Sequence, residues 1–137
     1  MAQSCYQHVI RELTTREPEA GGLLLGPEGH SSVTHFVLDE TGHGTAASFT
    51  FDHERLNALL RQHRAVKLEG KGLVHSHPRG CTHLSEGDLI YARKLLGNPK
   101  NDASEVLMPL VVDGSLHPYV VYRDRPDQPA YARLVLF

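Results

Sequence analysis

The sequence predicts an α/β (α+β) fold: one mixed β-sheet flanked by about three helices, in a single domain over residues 1–137. Three observations predict it. A length of 137 residues favours one domain with a real core. Three stretches carry apolar residues at helical spacing, and between them lie short apolar or alternating runs bounded by glycine, proline and asparagine.

In chain order, residues 3–15 read as a helix, with Val9, Ile10 and Leu13 at helical spacing and Tyr6 one turn earlier. Pro18 ends it and pushes Glu17 toward extended geometry. Leu23-Leu24-Leu25, between Gly21-Gly22 and Gly26-Pro27, reads as a fully buried strand whose glycine pair admits close backbone approach. Residues 28–31 form a turn, and Val33 to Leu38 a second strand. Residues 40–44 form another turn or loop. Ala47 to Phe51 reads as a third strand with Phe49 and Phe51 on one face. Asp52 is placed to cap a helix over Glu54 to His63, with Leu56, Leu59 and Leu60 on its apolar stripe.

Gly70-Lys71-Gly72 precedes a short central strand, Leu73 to His77, ending at Pro78; residues 78–83 are loop. Ser85 to Leu96 is a helix with Leu89, Ile90, Ala92, Leu95 and Leu96 at helical spacing, closed by Gly97-Asn98-Pro99. Residues 98–104 are polar loop. Val106 to Val112 and His117 to Tyr122 form a hairpin around Asp113-Gly114-Ser115. Arg123 to Pro129, with two prolines, is a loop, and Tyr131 to Phe137 a last strand or helix end.

Composition excludes several classes. Hydrophobic residues are 40%, charged residues 22% and the net charge is −2, so there is no electrostatic footprint for nucleic acid or an anionic membrane. No apolar run approaches the ~18 residues of a membrane span. The first five residues lack a signal-peptide pattern. Cys5 and Cys81 form no CxxC pair and read as free thiols of a cytoplasmic protein.

The chemistry concentrates in residues 75–88. His75 and His77 at the end of a strand point their imidazoles to one face. If Ser85 starts a helix, Asp88 lies in its first turn, where the loop can fold it back over the strand. Two imidazoles and a carboxylate leave one position open, the arrangement of a catalytic rather than a structural zinc. Blander readings stand beside this one. Ser85-Glu86-Gly87-Asp88 is by itself a capping box, and the two readings are compatible. His8, His30, His35, His43, His53, His63 and His117 read as surface residues, while His83 is a candidate to line the site. Cys81 reads as an ordinary loop cysteine rather than a nucleophile. Glu19, with Glu17 and Glu28 nearby, is unremarkable alone.

Together, Glu19-Ala20-Gly21-Gly22-Leu23-Leu24-Leu25-Gly26, then His75-Ser76-His77-Pro78, then Ser85-x-x-Asp88 resemble the JAMM (MPN+) zinc metalloprotease family, most of all its compact prokaryotic JAB-type members. The resemblance implies an MPN fold with one Zn²⁺ per chain on His75, His77 and Asp88, and water as fourth ligand. It implies Glu19 as general base and then acid, and Ser85 as donor to the oxyanion. It further implies an isopeptidase or peptidase acting at the C-terminal tail of a ubiquitin-like protein, deconjugating it or processing its precursor. The short stretches 39–47 and 97–105 leave little material to grip a whole ubiquitin. A bacterial modifier, one associated with phage defence among the options, is therefore the preferred partner. Alternatives are hydrolysis of a small amide or sulfur-carrier adduct, a non-catalytic MPN scaffold, and a relative of the RadC-type proteins. The charge balance argues against direct DNA binding by the last. Oligomeric state is not legible.

Overall fold

The computed structural model describes residues 1–16, 19–40, 43–44, 49–50 and 53–137. Among the described residues, three helices and a mixed sheet of eight strands make up the α/β architecture expected. Helix α1 is Gln3–Thr14, α2 His53–Arg64 and α3 Glu86–Gly97. Among the described residues no helix is long and apolar enough to cross a membrane.

The sheet is built on two long neighbours, β1 (Gly21–Pro27) and β5 (Leu68–Ser76), paired antiparallel from Gly21 opposite His75 to Pro27 opposite Leu68. β2 (His35–Leu38) covers the outer side of β1. On the other side, β6 (Glu105–Leu107) and β7 (Leu110–Val112) run parallel to β5. β8 (Ser115–His117) pairs with β7; β9 (Tyr119–Tyr122) pairs with β6; β10 (Arg125–Tyr131) closes the far edge. A separate ladder joins β3 (His43–Gly44) to β4 (Phe49–Thr50).

Alternation of side chains along the strands makes two cores. Leu24, Val74, Phe36 and Val111 face α1, meeting Cys5, Val9 and Leu13. Leu23, Leu25 and Leu73 face the other way, onto Leu56 and Leu59 of α2 and Ala92 and Leu96 of α3. Each such leucine, fully buried, stabilises the fold by about 1.5–3 kcal/mol. This two-sided burial explains why residues 23–25 are apolar without alternation.

Several boundaries differ from the sequence reading. β5 begins at Leu68, not Leu73, because its first half is a half-exposed strand in which glycines admit close neighbours. A Cβ on Gly72 would lie 2.0 Å from the Leu107 carbonyl oxygen. Val106–Val112 and His117–Tyr122 are each divided. Pro109 and Pro118 have no N–H for a ladder, and their carbonyls instead accept from His75 N and Ala132 N. Residues 125–131 form a strand rather than a loop. Pro126 and Pro129 are tolerated because the strand is an edge, and its register slips between Arg125 and Ala130. Residues 132–137 are irregular, tied to the N-terminus by Gln3 N to Phe137 O and Phe137 N to Met1 O. His43–Gly44 is strand where a turn was expected. The expectations for Glu17, Pro18, Phe51 and Asp52, and for strand residues 47–48, lie outside the described residues.

Gly72→Ala should destabilise the protein by about 1–3 kcal/mol or more in chemical denaturation, since its methyl meets backbone that cannot move aside. Gly97→Ala, with open space around the new methyl, should be neutral or stabilising by up to about 1 kcal/mol.

Candidate metal centre

β5 delivers His75 on its last turn of pleat, and His77 follows just past its end, its N–H held by Val111 O at 3.1 Å. Period-2 geometry puts both imidazoles on the α3 side, and both residues are buried. Their Nε2 atoms lie 3.0 Å apart. Asp88 reaches them from α3, with Oδ1 at 3.0 Å from His75 Nε2 and Oδ2 at 3.1 Å from His77 Nε2.

Asp88 is held for this task by the helix start. Ser85 is the N-cap, with extended backbone; its hydroxyl accepts from Asp88 N at 3.1 Å, and its own N–H donates to Asp88 Oδ2 at 2.8 Å. The capping box and the histidine-facing carboxylate are therefore one structure: the cap fixes the rotamer that carries Oδ1 and Oδ2 to the imidazoles.

Glu19 arrives on the segment preceding β1. It is buried, with Oε1 3.8 Å from His77 Nε2. Ser76, between the two histidines, clasps the neighbouring residue. Its backbone N donates to Ala20 O at 2.8 Å, and its hydroxyl accepts from Ala20 N at 3.1 Å. Sequence reasoning gave Ser76 no role. The signal available was its place between two inward histidines, which turns its own side chain to the opposite face.

Electrostatics follow from this packing. Burial raises the Glu19 pKa; His77 and His75 oppose the shift, and Asp88 adds to it. Burial works against the charged form of His77, but its hydrogen bond to Asp88, the charges of Asp88 and Glu19, and the Cys81 carbonyl raise its pKa overall. Burial likewise opposes ionised Asp88, yet hydrogen bonds from His75, His77 and the Ser85 backbone hold it far below the usual carboxylate range.

The donor set fits a zinc ion. One ligand atom from each of His75, His77 and Asp88 can be chosen so that all lie within 4.8 Å of one another. The Nε2–Nε2 separation of 3.0 Å is close to the ~3.3 Å edge of a tetrahedron with ~2.0–2.1 Å bonds, and each Asp88 oxygen faces one of the two imidazoles. His77 Nδ1 faces Cys81 O at 3.1 Å; donating there leaves the Nε2 lone pair for a cation. His75 Nδ1 is buried with no hydrogen-bond partner among the described residues, so packing and the Asp88 carboxylate at Nε2 orient that ring.

A cavity of about 380 Å³ opens beside these groups, lined by Glu19, His77, Pro78, Gly80, Cys81, Thr82, His83 and Ser85. His83 thus does line the site while staying exposed, and Cys81, a free and exposed thiol, contributes its carbonyl rather than its sulfur. His8, His30, His35, His53, His63 and His117 take no part; the His43 side chain lies outside the description. Glu28 is exposed on the turn after β1, away from the cavity.

Solved structures share this fold over nearly the whole chain. A protein of Salinibacter ruber is 18% identical with a TM-score of 0.63, covering 99% of this chain and 91% of its own. One from Desulfitobacterium hafniense is 17% identical with a TM-score of 0.59, covering 99% and 90%. A JAB1/MPN domain protein of Archaeoglobus fulgidus is 13% identical with a TM-score of 0.54, covering 96% and 91%. No curated protein matches the sequence. The fold is thus that of a JAB1/MPN domain, and the site is a His-His-Asp cluster of metal-binding geometry. More narrowly, the chain belongs to the prokaryotic homologs of the JAB domain, whose family profile matches residues 2–131.

The pKa shifts carry a sign that can be checked without metal. His77, raised, adds stability below its unfolded pKa of ~6.5, and this is lost as pH climbs through the folded value. Asp88, lowered, adds stability above its unfolded pKa of ~3.9, and this is lost as pH falls toward the folded value. In chelator, the melting-temperature gap between wild type and Asp88→Asn should be widest between about pH 4 and 6.5 and narrow on either side.

Proposed function

We propose that the chain is a zinc-dependent isopeptidase or peptidase that cuts the amide bond at the C-terminal tail of a ubiquitin-like modifier, preferably a bacterial one. The observation that carries the hydrolytic part is Glu19: a buried carboxylate of raised pKa, 3.8 Å from His77 Nε2 at the mouth of the His-His-Asp cluster. A scaffold domain needs no such group there.

A zinc ion on His75, His77 and Asp88 would supply Lewis acidity, lowering the pKa of a coordinated water to about 7 and polarising the scissile carbonyl. The chain's residues do the rest. Glu19 Oε1 takes a proton from the attacking water and passes it to the leaving amine nitrogen; burial, which raises its pKa, favours its holding that proton between the two transfers. Ser85 Oγ already accepts from Asp88 N, so its own proton is directed outward to the carbonyl oxygen as negative charge develops there. Asp88 keeps its charge throughout, held by the cap and both histidines. No covalent intermediate is required, consistent with Cys81 presenting its carbonyl to His77.

The choice of substrate rests on chemistry and size. The cavity is open and small, about 380 Å³, with Gly80 and Pro78 on its wall. An extended tail of small residues fits such a site without a deep side-chain pocket.

Purified protein should contain about one zinc per chain, and His75→Ala or Asp88→Ala should lose it; a zinc-free wild type would sink the site. Glu19→Gln should retain zinc and lose about 10²–10⁴-fold in turnover. Incubation with modifier fusions, followed by mass spectrometry of the released tail, decides the substrate class. Zinc-loaded protein that cuts none of them would point to a small amide or a scaffold role.

A further inference from the structure

The seven-residue loop 78–84 does more than join the strand to the helix: its Cys81 carbonyl is the hydrogen-bond partner of His77 Nδ1 at 3.1 Å. A carbonyl in a loop orients a ring only if the loop itself is fixed. Within the loop, Cys81 N donates to Pro78 O at 3.0 Å, and Gly80 takes φ +83° to make that turn. From outside, the nearest side-chain anchor is Tyr119. Its hydroxyl donates to Thr82 O at 2.7 Å, one peptide along from the Cys81 carbonyl.

Tyr119 is well placed to act as a fixed post. It opens β9, where its carbonyl accepts from Met108 N at 2.9 Å, and it pairs in register with Tyr131 of β10. The Tyr131 ring meets it edge-on, with centroids 5.2 Å apart. Burial raises its pKa, with Tyr131 adding to the shift, so its hydroxyl stays a donor at neutral pH. Gly80 N to Asp113 Oδ2, at 3.4 Å between exposed groups, is a weaker second tie.

We propose that Tyr119 is a positioning residue for the metal centre, holding the Thr82 carbonyl, one peptide beyond Cys81, so that the Cys81 carbonyl fixes His77 with Nε2 presented to the metal. The inference rests on the metal-site reading above. It assigns a role to a residue 42 positions from His77 that does not line the cavity beside the metal centre.

The test is Tyr119→Phe, which keeps the ring and removes the donor, against Tyr122→Phe on the same strand. Zinc affinity is measured by chelator competition. Loss of a direct second-layer partner lowers metal affinity about 10–100-fold, so removal of its support should lower it about 3- to 30-fold. In metal-free protein, the His77 Nδ1–H resonance should exchange faster with water in Tyr119→Phe than in wild type. Unchanged affinity and an unchanged resonance would overturn the proposal, as would an equal loss in Tyr122→Phe, which would mark general loosening of β9. If Tyr119→Phe fails to fold, the wild-type Tyr119 hydroxyl proton is read instead: slow exchange with water is expected of a held bond to Thr82 O, and free exchange would overturn the proposal. Absence of zinc binding by the wild type instead counts against the metal site itself.

Discussion

Gly21 opposite His75 is the register on which the site depends. A one-residue slip of β1 on β5 would send every side chain of the strand to the other face, carrying Glu19 away from His77. Two devices lock it. A slip would put a leucine where Gly22 sits, and a Cβ there would lie 2.3 Å from the Val37 carbonyl oxygen. At the functional end, Ser76 binds Ala20 through both backbone and hydroxyl. The pairing that stabilises the sheet is therefore also the pairing that brings the Glu19 carboxylate to two imidazoles distant in the chain.

The second requirement is a carboxylate that stays ionised when buried beside other groups. Asp88 meets it by serving as third residue of a capped helix, where a backbone N–H and the helix start favour negative charge. Glu19, a few ångströms off, lacks such donors and shifts the other way. The site thus separates two carboxylates by environment alone, one held in its charged form and the other shifted toward its neutral form.

Much of this was legible in the sequence. Helix periodicity located α1 and α3 to within a residue or two, and the glycine-bounded leucines located β1. The spacing of His75, His77 and Asp88 anticipated the cluster, because strand period and helix capping are local rules. What local rules could not reach was set by distant contacts. β10 looked like a loop because prolines are rare in strands, and only its place at the sheet edge makes them acceptable. The early start of β5 was hidden by glycines that admit close neighbours, Leu60 at Gly70 and Leu107 at Gly72. Ser76 and the Cys81 carbonyl were missed for a related reason: one acts through strand pairing, the other through a backbone atom that no residue type announces.

The prolines of β10 have one more effect. Arg125–Tyr131 lies outermost in the sheet, where unpaired amides invite a neighbouring chain to add on. Pro126 and Pro129 take two N–H groups out of this strand, and Arg125, Asp127 and a slipped register make its line charged and uneven. A strand that is awkward to recognise in the sequence is for the same reason awkward for another molecule to copy, and this border of the sheet resists fibrous self-association.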